Sequence, residues 1–218
     1  MIGNVSTLPT PALMLVTDRR LVGGQDALLR AVDEAVDGGV DLVQLREKDL
    51  PPEALLPLAR RLRQVTSGRA LLIVNGPLSV ALACDADGLH LPEGAADVSR
   101  PGRPFLVGQS VHSQEAAVRA WSACRHYLVA GPVYVTPSHP GAAGCGAALI
   151  ESVASAVAVP VLAIGGITPG RVEEVVRAGA RGVAVISAIL ASPSPKAAAA
   201  ALRAVLEMAW AEVGSTVP

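Results

Sequence analysis

The stretch "VLAIGGITPGRVEEVVRAGARGVAVISAIL", residues 161–190, has the pattern of a strand, a helix and a second strand. Its first apolar run ends at Gly165, and a second apolar run closes the segment. Between them, Thr168 and Pro169 form the pair that commonly starts a helix, and Gly179 follows the last helical turn. Apolar runs without polar alternation are typical of parallel strands covered on both faces. The segment therefore predicts one βαβ unit.

The same alternation recurs along the chain. Eight such units in 218 residues favour an α/β fold of the single-domain (β/α)8 TIM barrel type over an open doubly wound sheet. We expect an N-terminal tail at residues 1–11 and the barrel at residues 12–212. The predicted strands are Leu13–Thr17, Leu42–Leu45, Leu71–Val74, Gly88–Leu91, Phe105–Gly108, Tyr127–Val129, Val161–Ile164 and Gly182–Ile186. The predicted helices are Gln25–Val36, Glu53–Arg63, Gln114–Trp121, Arg171–Arg177 and Lys196–Ala211, with a weak fourth helix of one turn at Gly94–Ser99.

Composition excludes several classes of protein. With 51% hydrophobic residues, 17% charged residues and a net charge of -1, the chain builds a large core and has no basic patch for nucleic acid. Three scattered cysteines, without a CxxC pair, argue against a disulfide framework or structural zinc. The N-terminus lacks signal-peptide features, and the apolar runs are too short to span a bilayer. We expect a cytoplasmic protein with neither nucleic acid nor a membrane as a partner; its Ala-rich helices permit a homodimer.

Polar side chains are concentrated at the end of the second predicted strand, in "VDLVQLREKDLPP" at residues 40–52. Period-2 spacing places Gln44, Arg46 and Lys48 on one face, and Glu47 on the other. Barrel chemistry lies at the carboxyl ends of the strands. We therefore expect two cations and an amide to face an anion in the barrel mouth.

The strand 7 and strand 8 ends predict a phosphate site. Gly165 and Gly166 follow strand 7, while Ile186 and Ser187 follow strand 8. Glycines let the backbone approach an anion, and loops after these two strands with a short helix often bind phosphate in barrels.

Motifs in order along the chain resemble a known family. They are "QLREK", "VNG", "DGLHLP", "GQSVHSQEA", "AGPVYVTPSHPG", "AIGGITP" and "VAVISAI". Together they look like the thiamine phosphate synthase/TenI family, (β/α)8 barrels of thiamine biosynthesis. Its synthase branch couples hydroxymethylpyrimidine diphosphate to thiazole phosphate with release of pyrophosphate. Its TenI branch includes thiazole tautomerases, which aromatise a thiazole phosphate carboxylate by proton transfer.

The resemblance implies roles for individual residues. Gln44, Arg46 and Lys48 match contacts to the pyrimidine diphosphate, and Asn75 and Ser110 match contacts to the pyrimidine. Thr136 and Ser138 match contacts to the thiazole phosphate. Gly166, Ile186 and Ser187 match the phosphate cradle.

The chain departs from the synthase pattern at three positions. Gly76 and Ala95 stand where that branch has metal-binding aspartates, and His139 stands where it has a lysine. Because Mg²⁺ needs oxygen ligands, these losses favour the TenI branch. That branch has its own acid–base histidine where this chain has Pro132, so His139 becomes the candidate catalytic residue.

The sequence thus predicts a TenI-like thiazole tautomerase that acts on a small thiazole phosphate without a cofactor. One alternative is a thiamine phosphate synthase, which would also bind the pyrimidine diphosphate and need Mg²⁺. Another is a non-catalytic, regulatory paralogue that binds a phosphometabolite.

Three further polar residues near the mouth are better explained by structure than by chemistry. His90 is expected to be a packed, hydrogen-bonded residue of the barrel. Asp18 is expected to brace Arg46 or Lys48. His112 could bond a substrate, but "VHSQEA" also reads as a strand end followed by Ser113 as a helix N-cap.

Overall fold

The protein is a closed barrel of eight parallel strands, as predicted, in the sequential order β1 to β8. The computed structural model describes residues 8–99, 101–136 and 144–216. The strands are β1 Ala12–Val16, β2 Leu42–Leu45, β3 Leu71–Val74, β4 Gly88–Leu91, β5 Leu106–Val111, β6 Tyr127–Ala130, β7 Val161–Ile164 and β8 Gly182–Val185. The barrel closes through β1 and β8, where Leu13 is the register partner of Val183.

Helices follow most strands and form the outer layer. They are α1 Gln25–Asp37, α2 Pro52–Thr66, α3 Leu78–Ala83, α4 Gln114–Ser122, α5 Ala147–Ala156, α6 Pro169–Arg177, α7 Ser187–Leu190 and α8 Pro195–Thr216, with a 3-10 turn at Arg19–Val22. Thr168 and Ser113 are the N-caps of α6 and α4, and the Ser113 hydroxyl accepts a hydrogen bond from the Ala116 N–H. The one-turn helix predicted at Gly94–Ser99 is wrong. That segment has no helix, and Asp97 within it pairs instead with the buried guanidinium of Arg125.

The barrel interior is packed with side chains from alternate strand positions, as in other barrels of this type. Tyr127 is fully buried there, and Gly108 of the neighbouring strand makes room for it. A Cβ at residue 108 would overlap the Tyr127 ring, so glycine is required at this position. Leu8, in the segment before β1, packs against the same interior cluster.

A second apolar layer lies between the barrel and its helices and contains most of the buried Val, Leu and Ala. Beyond the last residues of the strands, polar groups gather in a mouth at the carboxyl end of the barrel. Within the described part of the chain, no helix combines the length and apolar character needed to cross a membrane.

Candidate active site

One cavity at the carboxyl ends of the strands collects the predicted site residues. Its lining includes Gln44, Arg46, Lys48, Asn75, Ser110, Thr136, Gly165, Gly166, Ile186 and Ser187. The remaining two candidates, Ser138 and His139, lie outside the described residues. The structure thus brings every described candidate to one place, while their roles stay predictions.

Two cations face this cavity without a carboxylate partner. Arg46 is half-buried and Lys48 is exposed, and neither forms a salt bridge or side-chain hydrogen bond within the described part of the chain. Burial lowers the pKa of Arg46, and the positive charge of Arg46 lowers the pKa of Lys48. Both shifts mean that the surrounding residues disfavour the charged forms of Arg46 and Lys48. A bound anion would stabilise them.

Behind these cations, a buried hydrogen-bond network fixes the end of β2. Glu47 points away from the cavity, as predicted, and is 4% exposed. It accepts hydrogen bonds from the Thr17 hydroxyl at 2.8 Å and from Arg19 Nη1 at 2.9 Å. The Thr17 oxygen in turn accepts the backbone N–H of Arg46 at 2.9 Å. This chain of contacts sets the backbone from which Arg46 reaches into the mouth.

Asp18 does not brace the cations through a direct contact. Its carboxylate accepts hydrogen bonds from the backbone N–H and from Nε of Arg20, both at 3.1 Å. Within the described residues Asp18 has no direct contact with Arg46 or Lys48, and it acts on Arg46 through its charge, which raises the pKa of Arg46 against the effect of burial. The reason for the lack of direct contact is local: Asp18 is the N-cap of the 3-10 turn, so its nearest donors belong to that turn.

The floor of the cavity is a neutral hydrogen-bonded network. His90 Nε2 lies 2.9 Å from Ser110 Oγ, and His90 Nδ1 lies 3.2 Å from the Tyr127 hydroxyl. Burial, assisted by the charge of Arg46, lowers the pKa of His90 to about 3. Asn75 Nδ2 donates to the backbone carbonyl of His90 at 3.0 Å. His90 is therefore a packed, neutral barrel residue, as predicted, and it orients Ser110 at the cavity surface.

A histidine–carboxylate pair stands at the rim, between the ends of β4 and β5. His112 Nδ1 and the backbone N–H of His112 both lie 2.7 Å from Glu93 Oε2. Both side chains line the cavity and both are partly exposed. The sequence pattern indicates mainly a strand end at His112 and gives no sign of its contact with Glu93.

At the opposite rim, the strand 7 turn is held against the segment that follows β6. Gly165 and Gly166 have φ values of 103° and 64°, which disfavour other residues. A Cβ at Gly165 would lie 2.8 Å from Pro132 Cα, and one at Gly166 would lie 2.8 Å from Tyr134 Cβ. These glycines are thus needed for packing as well as for any backbone approach to an anion.

Arg171 and α7 border the predicted phosphate site. Arg171 Nη1 donates to the Gly166 carbonyl at 2.7 Å, and its guanidinium lies over the Tyr134 ring at 4.4 Å from the centroid. Among the described residues, no acceptor is paired with the Gly166 N–H. Ser187 begins α7, where the first N–H groups of a helix lack helical acceptors. These donors can bind a phosphate.

The described lining of the mouth offers few ligands for a divalent metal. Within residues 8–99, 101–136 and 144–216, no group of three His, Cys, Asp or Glu side chains could hold a metal ion. Glu93 is the carboxylate of the described cavity lining, and it is already bound to His112. Mg²⁺ prefers several oxygen ligands in near-octahedral geometry. Most oxygen ligands of a Mg²⁺ ion at the described lining would therefore have to come from water or from a bound phosphate.

The fold and this mouth define a (β/α)8 barrel with a cationic cavity at the carboxyl ends of its strands, and comparison with known proteins identifies its family. The chain matches the family model "Thiamine monophosphate synthase" over residues 13–189. It is 43% identical over 201 residues to a putative thiamine-phosphate synthase of Geobacter sulfurreducens, covering 89% of this chain and 94% of the relative. It is 43% identical over 197 residues to a thiamine-phosphate synthase of Methanoregula boonei, covering 88% and 91%. The chain belongs to the thiamine phosphate synthase/TenI family and is an enzyme of thiamine biosynthesis.

Solved structures agree with this assignment. A thiamine phosphate pyrophosphorylase of Pyrococcus furiosus superposes with a TM-score of 0.79 at 33% identity, covering 91% of this chain and 96% of that chain. A 3-hexulose-6-phosphate synthase of Salmonella typhimurium superposes with a TM-score of 0.72 at 16% identity, covering 91% and 99%. The second likeness concerns the fold alone.

Proposed function

We propose that this enzyme binds a thiazole phosphate carboxylate and converts it to its aromatic tautomer by proton transfer. The observation that carries the proposal is the composition of the mouth. Among the described residues it has two cations without a carboxylate contact and an imidazole at the rim, and its one lining carboxylate, Glu93, is already paired with His112. Such a set suits an anionic substrate and metal-free acid–base chemistry.

The two rims of the cavity suggest how the substrate lies. The phosphate would take the donors around Gly166 and Ser187, because backbone N–H groups at such turns bind phosphate. The substrate carboxylate would pair with Arg46 and Lys48 on the other side, which would stabilise the charged forms of both side chains. The ring would then lie over Asn75 and Ser110, with its reacting carbons beside the β4 and β5 ends.

A synthase is the second candidate, and the relatives named thiamine-phosphate synthase favour it. Gln44, Arg46 and Lys48 would then bind a pyrimidine diphosphate. Gly76 and Ala95 oppose this activity because the synthase branch has metal-binding aspartates there. A synthase would have to obtain its metal ligands from other positions.

An assay with the purified protein separates these functions. The non-aromatic thiazole phosphate carboxylate is supplied alone, and the aromatic tautomer is supplied with the pyrimidine diphosphate, each with Mg²⁺ or with EDTA. We expect tautomer conversion that EDTA leaves unchanged. Mg²⁺-dependent thiamine phosphate without tautomer conversion would replace the proposal with the synthase. Tight binding of the thiazole phosphate with neither product would indicate a binding protein.

A further inference from the structure

We infer that His112 is the catalytic proton carrier of this enzyme and that Glu93 is the residue that positions it. This inference rests on the proposed tautomerisation and names the group that performs it. His139 was the candidate on sequence grounds, but it lies outside the described residues, whereas His112 and Glu93 both line the cavity.

The contact between the two side chains sets the protonation pattern of the imidazole. Glu93 Oε2 accepts from the backbone N–H of His112 and lies 2.7 Å from Nδ1, so the proton of the neutral ring stays on Nδ1. The Nε2 lone pair then points away from the carboxylate. Within the described part of the chain, Nε2 has no hydrogen-bond partner. A carboxylate behind an imidazole also stabilises the imidazolium that forms when Nε2 takes a proton.

His90, the other described histidine of the cavity, cannot act as the proton carrier. Both nitrogens of His90 are occupied, by Ser110 and by Tyr127, and its low pKa keeps it neutral. Burial also raises the pKa of Tyr127, which keeps its hydroxyl protonated. The cations Arg46 and Lys48 are needed opposite the substrate anion. Of the described groups in the mouth, His112 alone combines an open nitrogen, an orienting carboxylate and contact with the cavity.

The proposed step conserves atoms and electrons. Nε2 of His112 accepts a proton from the sp3 carbon of the non-aromatic ring, and the electron pair of the broken C–H bond enters the ring. The displaced π electrons form a new C–H bond at the second carbon, and the His112 imidazolium donates that proton directly or through one water molecule. The product is the aromatic isomer, and His112 returns to its neutral form.

The test uses the full chain with the variants His112→Gln, His112→Ala and Glu93→Gln. Glu115→Gln is the matched control, because Glu115 is an exposed carboxylate on the adjacent helix α4 and outside the cavity lining. Turnover is measured in H2O, deuterium incorporation in D2O is followed by NMR, and binding of the aromatic tautomer is measured by calorimetry.

We expect His112→Gln to lower kcat by at least ~100-fold, the usual range for loss of a general acid–base group, with the ligand Kd changed less than about threefold. Added imidazole should restore part of the turnover of His112→Ala, which a merely structural histidine would not allow. Glu93→Gln should lower kcat about tenfold or more with KM little changed, since orientation of the imidazole is lost rather than binding. Glu115→Gln should match the wild type.

The outcomes distinguish two failures. If the wild type converts the tautomers and His112→Gln does so at a similar rate, the role of His112 is overturned and the proposed function stands. If the wild type neither converts the tautomers nor incorporates deuterium, the proposed function and the proton-transfer role both fall.

Discussion

Arg171 donates a hydrogen bond to the backbone carbonyl of Gly166, with Nη1 and the oxygen 2.7 Å apart. The same guanidinium stacks on Tyr134, so one side chain ties the strand 7 turn to the segment after β6. The peptide that Arg171 holds lies beside the predicted phosphate site. We therefore expect the Arg171 side chain to contribute to ligand binding.

Replacing Arg171 with Met should weaken phosphate binding. Losing an exposed charge-assisted hydrogen bond and its stacking contact costs about 1 kcal/mol, which corresponds to roughly a fivefold rise in Kd for the thiazole phosphate. Calorimetry measures this directly. Arg177→Met is the control, since Arg177 lies on the same helix and pairs with Glu173 instead. Equal Kd values for the two variants would contradict a role of Arg171 at the phosphate site.

Replacing Arg46 with Met should separate binding from stability. The cation is half-buried without a carboxylate partner among the described residues, so its removal should raise the free energy of unfolding of the ligand-free protein by about 1 kcal/mol. The same change should weaken anion binding by at least ~10-fold, because a charge-assisted contact is lost. Urea unfolding and calorimetry provide the two measurements.

The control for Arg46 is Arg61→Met, which removes an exposed arginine that pairs with Asp26. It should leave ligand binding unchanged. A destabilised Arg46→Met protein with normal ligand affinity would show that Arg46 is structural.

Removing the Glu47 carboxylate should destabilise the barrel. Glu47→Ala leaves the Thr17 hydroxyl and the Arg19 backbone N–H without their acceptor, while the Arg19 guanidinium keeps its pair with Asp49, so the cost is about 1–3 kcal/mol. A double-mutant cycle with Thr17→Val should give a coupling energy of about 1 kcal/mol, since the two groups share one hydrogen bond. A coupling energy near zero in chemical unfolding would refute this network.

Acid should destabilise the protein through His90. Burial holds the pKa of folded His90 at about 3, whereas an unfolded histidine titrates near 6.5. Between these values the unfolded chain binds the proton and the folded barrel does not. The contribution of neutral His90 to the free energy of unfolding is therefore complete above pH ~6.5. It is lost as the pH is lowered towards ~3, by at most about 1.4 kcal/mol per pH unit.

The variant His90→Gln isolates this effect from the titration of carboxylates. It should show a shallower loss of stability than the wild type between pH 6 and pH 4, measured by urea unfolding at each pH. Identical slopes would mean that His90 becomes protonated within the folded barrel.

The barrel was predictable because its parallel strands are short apolar runs separated by helical patterns. Four strands, among them β2 and β7, have the predicted bounds. β5 extends beyond its predicted end at Gly108, because Gln109 and Ser110 are polar and broke the apolar pattern. Gln109 bonds the buried Arg125 and Ser110 bonds His90, contacts between distant segments that periodicity does not show.

The sequence predicted which residues lie at the site, but it did not predict which of their side chains contact each other. Strand-end position and family resemblance brought Gln44, Arg46 and Asn75 to the mouth. The Glu93–His112 pair was missed because the two residues lie 19 apart in sequence and meet only through adjacent strand ends. The "HLPE" and "SVH" segments after neighbouring strands were the available signal, but side-chain direction decides whether they touch.

The measurement that tests the account most directly is conversion of the non-aromatic thiazole phosphate carboxylate by the wild-type enzyme in EDTA, followed by NMR in D2O. We predict formation of the aromatic tautomer with deuterium incorporated at carbon, at a rate that Mg²⁺ does not raise. The contradicting result is no conversion in EDTA, together with Mg²⁺-dependent thiamine phosphate when the pyrimidine diphosphate and the aromatic tautomer are supplied.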